Sequence, residues 1–194
     1  NEDKRTPLHN CGITGNAKVA AALIQQGAPV DGADAEGCTP LMRAVMTNHA
    51  EVAKVLLDHG ANPDVIVRTD STPLYPLFVA AMNGYDDVVR VLLDKGANAT
   101  AKVEGVPSPV DAAKHKGHEA SAKLISAAIK KKKVLEKEAS TAAKETEGIW
   151  QQVVQAVAQK DQDGLRVLIN GRAFASLSVD SRATLIKPLQ SDRF

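Results

Sequence analysis

The sequence predicts an all-α repeat solenoid, in which short helix–turn–helix units stack side by side and hairpin-like finger loops join them. Three observations carry this expectation. Residues 39–62, TPLMRAVMTNHAEVAKVLLDHGAN, read as two short amphipathic helices folded back on each other. Their punctuation recurs at a fixed interval: Thr6-Pro7-Leu8 stands 33 residues before Thr39-Pro40-Leu41, and Gly27-Ala28 stands 33 before Gly60-Ala61. Aromatic residues make up only 3% of a chain rich in Ala, Val and Leu, which suits thin helices in close contact. A unit of about 24 residues cannot bury both helices alone, so each needs a copy of itself alongside.

Within the unit each residue has a local reason. Thr39 offers a capping hydroxyl, and Pro40 presets φ at a position that needs no backbone donor. Leu41, Ala44 and Val45 form the first apolar stripe, and Asn48 suits the left-handed turn that ends it. Val52, Ala53, Val55, Leu56 and Leu57 form the broader second face, which Gly60 terminates at an expected positive φ. Downstream, Gly96-Ala97-Asn98 repeats Gly60-Ala61-Asn62 after 36 residues, and Ser108-Pro109-Val110 repeats Tyr75-Pro76-Leu77 after 33.

A 33-residue period with TPLH, a Gly-His-like central turn and LLxxGA resembles the ankyrin repeat, over roughly residues 1–129. The resemblance implies a non-catalytic scaffold that binds another protein, through first helices forming a palm and hairpin tips forming fingers. It also implies that His9 ties neighbouring loops together by hydrogen bonds rather than ligating a metal.

Along the chain, Asp34 is placed to accept a hydrogen bond across the turn that Gly37 closes. Ala35, Glu36 and Cys38 are expected to be free of core duty. Arg43 takes a position where the family has an apolar residue. Either its stem covers apolar surface or its charge points into the palm. Thr72-Pro73-Leu74 competes with Tyr75-Pro76-Leu77 as the next helix opening. A start at Thr72 would bury Pro76 inside the helix at about 3 kcal/mol, so the helix is placed near Tyr75. Residues 65–74 then become an enlarged finger. In the fourth repeat Ser121 and Ser126 replace apolar residues, as suits a terminal repeat, and the missing Gly at Ile129 predicts that its last helix continues into the 140s. Residues 130–148 are read as a charged helical linker. Lys130 to Lys133 is read as a solvated helix end in preference to a nuclear-targeting or anionic-surface patch. Residues 149–194 resemble the start of a second array: a capping repeat plus the opening of the next.

Charge and composition narrow the function classes. The formal net charge is +1, with residues 1–129 at −3 and the two later segments at +2 each. Neither a basic patch nor interleaved aromatics argues for nucleic acid. Two cysteines, Cys11 and Cys38, make no disulfide framework, which points to a reducing compartment, cytoplasmic or nuclear. No apolar run approaches a bilayer span, so no membrane partner is expected. The chain opens without Met inside a repeat loop, which predicts a piece of a longer protein. No nucleophile–base, phosphate-loop or metal-ligand spacing is found, so neither catalysis, a small-molecule substrate nor a cofactor is expected.

By alignment of the repeats, the partner-facing set is Arg5, Ile13 and Thr14; Ala35, Glu36, Cys38, Met46 and Thr47; Arg68, Asp70, Met82 and Asn83; and Glu104, His115 and Lys116. Ile13, Met46 and Met82 occupy equivalent positions. They form either an apolar hot-spot row or a seam half-buried between helices. The partner is another protein, or another segment of the same longer chain. Two other roles fit the same residues: a targeting or regulatory arm of a larger enzyme, and a fixed structural component of an assembly.

Overall fold

A computed structural model describes residues 3–68 and 73–159 of the 194. Its contacts separate residues 1–132 from 133–194 as two compact units.

The first unit is built as the repeat pattern requires. Helices α1 (Pro7–Thr14) and α2 (Ala17–Gln25) form the first repeat, and α3 (Pro40–Met46) and α4 (Ala50–Asp58) the second. The strand pair β1 (Val67–Arg68) and β2 (Pro73–Leu74) precedes α5 (Pro76–Asn83) and α6 (Asp86–Asp94). Helix α7 (Pro109–His115) and the start of α8 (Glu119–Ala158) complete the fourth repeat. First helices pack in the order α1, α3, α5, α7, while second helices pack α2 on α4 and α4 on α6. Thr39 caps α3 by accepting from the Met42 N–H at 3.3 Å, and Asn48 ends the repeat's first turn at φ 60°.

The register dispute between Thr72 and Tyr75 resolves as the proline argument predicts. Tyr75 is the extended residue before α5, and Pro76 is its first residue. Val67 pairs with Leu74 and Arg68 with Pro73, antiparallel, so the extra residues do enlarge the finger. Asp70 lies outside the described residues.

One apolar core runs through the unit. Leu41, Leu56, Leu77 and Leu92 are fully buried, one from each helix of the two central repeats. Burial of each contributes about 1.5–3 kcal/mol. Finger bases add a ladder of side-chain-to-backbone hydrogen bonds between repeats: the Asp31 carboxylate accepts from the Asn62 N–H at 3.2 Å, and the Asp64 carboxylate from the Asn98 N–H at 2.9 Å. Lys95 pairs with Asp58 across the second helices.

Ser121 departs from expectation. It is buried rather than merely less apolar, and its hydroxyl donates to Asp86 of the preceding repeat at 2.5 Å. A buried serine with a charged acceptor is satisfied, so the polar residue tightens the stack here. The helix expected to end in the 140s runs to Ala158, passing through Gly148.

In the second unit the described residues are the later part of α8. Val153 is buried, whereas Val134, Leu135 and Val154 are exposed. The expected second array falls mostly beyond residue 159, outside the described residues.

Candidate functional site

The palm is the surface that α1, α3, α5 and α7 share, and the stacking order brings equivalent residues of neighbouring repeats side by side. Ile13, Met46 and Met82 fall in one row, and Thr14, Thr47 and Asn83 in the next. Met46 is 41% exposed, a large apolar side chain left to solvent at the centre. Ile13 and Met82 are half-buried, with Met82 packed against the core, so the row is part contact surface and part seam. Thr14 and Asn83 are exposed, though each side chain also bonds back to its own helix, to the carbonyls of Asn10 and Val79. Thr47 is exposed as well, and its hydroxyl donates to the carbonyls of Arg43 and Gly12. His115 and Lys116 continue these rows on the fourth repeat and are exposed, as is Glu104 on the finger before it.

The finger between the first two repeats is organised by a buried carboxylate. Asp34 Oδ1 accepts from the Glu36 and Cys38 N–H groups, both at 3.0 Å, which closes the turn. Asp34 Oδ2 accepts from Arg43 Nε and Nη2 at 2.8 and 2.6 Å. The same guanidinium reaches Glu36 at 3.0 Å, and Arg5 reaches Glu36 at 2.7 Å. Burial alone would raise the Asp34 carboxyl, but the hydrogen bonds from Arg43 and the Cys38 N–H outweigh it and hold it below the usual range. Hydrogen bonding from Arg43 likewise depresses Glu36. Burial would lower Arg43; its two carboxylate partners raise it instead.

These contacts correct two sequence expectations. Arg43 neither snorkels to water nor points a free charge into the palm; it is 8% exposed and clamps the finger to α3. Cys38 is not a free tip residue. It is 5% exposed, and burial pushes its thiol upward, so it belongs to the core rather than to a partner-facing set. Its backbone is also engaged: the Cys38 carbonyl accepts from the Asp34 N–H at 2.9 Å and lies 3.0 Å from His9 Nε2. His9 Nδ1 accepts from the Thr6 N–H at 3.1 Å, so Nε2 carries the proton and donates. The histidine therefore ties repeat 1 to the next finger, as the resemblance implies. Ala35, Glu36 and Arg68 remain exposed at the fingertips, and Arg5 is part-buried against the clamp. The signal for the clamp was present in the sequence: opposite charges nine residues apart, one in a turn and one at an apolar register.

Among the described residues no group of three or more His, Cys, Asp or Glu could hold a metal ion, and no helix is long and apolar enough to cross a membrane. His49 and His59 both serve carbonyls, of Ile13 and Val55.

Residues 1–67 match the family described as ankyrin repeats (3 copies), and residues 72–103 match the single ankyrin repeat. Among solved structures the chain is similar to the ankyrin repeat domain of human ASB11, at 31% identity and a TM-score of 0.57. That likeness covers 63% of this chain and about half, 54%, of that one. No curated protein matches.

Proposed function

Since the chain belongs to the ankyrin repeat family, a generic protein-interaction module, we propose that residues 1–129 hold a segment of another protein across the palm, between the two threonine- and methionine-lined rows and the fingertips. The observation that carries this reading is Met46, apolar and 41% exposed at the centre of the surface that the first helices share. The Asp34–Arg43 clamp fixes the adjacent finger before any partner arrives, so little ordering is required on association.

The test is site-specific photo-crosslinking in the full chain. A photoreactive residue replaces Met46 in one protein and Lys54, exposed on α4, in another. Adducts with a protein partner are expected from position 46 and not from position 54. Adducts from position 54 alone would move the docking face off the palm.

A further inference from the structure

The rows of the palm change character at their end. Counted from the residue that opens each first helix (Thr6, Thr39, Tyr75 and Ser108), one position holds Ile13, Met46, Met82 and then His115. The next holds Thr14, Thr47, Asn83 and then Lys116. The helices pack in that order, so the rows run continuously from repeat 1 to repeat 4. On α1, α3 and α5 the sole ionic side chain is Arg43, and it is already held by Asp34 and Glu36. On the fourth repeat the two row positions, His115 and Lys116, are both exposed, and their side chains make no hydrogen bond or ion pair with the described residues. The nearby carboxylate of Asp111 accepts from the Ser108 hydroxyl at 2.6 Å.

Helix C-termini favour cations, but all four first helices present that same end to the palm. The ends of α1, α3 and α5 carry Ile13-Thr14, Met46-Thr47 and Met82-Asn83, with no exposed cation. The dipole therefore does not account for the cluster on the fourth alone.

Resting on the palm as the docking face, we propose that the segment held there is uncharged over the first three repeats and carries a carboxylate, from Asp, Glu or a chain terminus, over the fourth. A charged side chain laid on the neutral rows would lose water and find no counter-charge within them. Apolar side chains there would cover Met46. A carboxylate over α7 gains a charge-assisted hydrogen bond from the Lys116 ammonium, which has no partner among the described residues. The charge step thus sets the direction in which the segment lies as well as its composition.

The experiment selects a phage-displayed library of short random peptides on the immobilised full chain. Enriched peptides are expected to have an apolar, uncharged stretch with Asp or Glu toward one end. Lys116→Glu, at an exposed position, should weaken the selected peptides about tenfold or more, the size of one charge-assisted contact, and should enrich Lys or Arg at the same end in a fresh selection. Met46→Glu should remove binding of the original peptides. Peptides that lose binding to Met46→Glu yet ignore the charge reversal would overturn the carboxylate and leave the palm standing. Peptides indifferent to Met46→Glu would overturn both. Enrichment of charge throughout, or no enrichment, would overturn the inference.

Discussion

Arg43 donates from two nitrogens to a single oxygen of Asp34, at 2.8 and 2.6 Å, while the other oxygen closes the finger turn. One carboxylate thereby joins the loop to the helix that follows it. The arrangement makes the finger part of the folded core rather than an appendage.

Removing the guanidinium should show this directly. Arg43→Met leaves Asp34 buried with its two backbone donors but without its main counter-charge. A loss of about 3 kcal/mol is expected, at the low end for breaking a buried pair. In urea unfolding, Arg43→Met combined with Asp34→Asn should cost less than the two single changes together. Strict additivity would mean that the pair is not coupled.

The same pair sets a dependence on acid. The folded Asp34 carboxyl lies below its ordinary value, so as pH falls the unfolded chain takes up the proton first. Stability from this group is complete above the unfolded value, about 4, and is lost as pH drops through the folded value. Melting temperatures should therefore fall between about pH 5 and pH 2, and Asp34→Asn should flatten that slope. An unchanged slope in Asp34→Asn would assign the acid sensitivity elsewhere.

Two glycines of like backbone separate strain from steric crowding. Gly60 and Gly84 both have positive φ, 88° and 69°. A Cβ at Gly60 meets open space, whereas one at Gly84 falls on the His118 ring of the next repeat. Gly60→Ala should cost about 1 kcal/mol from conformation alone. Gly84→Ala should cost clearly more, and His118→Ala should recover part of the difference. Equal losses in thermal melts would contradict this packing.

Met46 and Met82 should behave differently despite equivalent positions. Met46→Glu places a charge on an exposed site, so stability should stay within about 0.5 kcal/mol while partner binding is lost. Met82 packs against the core, so Met82→Glu should lower the melting temperature as well. Similar melting curves for both variants would make the row uniformly exposed.

Much of this architecture was legible because its causes are local. Thr39-Pro40, Asn48 and Gly60 each act through the backbone of a few neighbouring residues, and the Pro76 argument placed α5 correctly over a competing TPL. The alignment of equivalent positions was legible too, since a fixed period sets residues seven and eight after each opening residue beside their counterparts in the next repeat. Cys38 and Ser121 were misjudged for the opposite reason. Whether a loop cysteine or a helical serine is buried depends on what the next repeat lays over it.

By itself, then, the sequence determined the period, the boundaries of the short repeat helices and which positions recur from repeat to repeat, because caps, prolines, glycines and apolar spacing act within one turn of chain, whereas the end of α8, which carries no such signal, was set too early. Only the tertiary structure decided that Arg43 and Asp34 form one clamp and that Cys38 is core. It likewise decided that Ser121 serves Asp86. Each of those outcomes depends on desolvation and hydrogen-bond partners supplied across the fold, and such terms have no counterpart in local pattern.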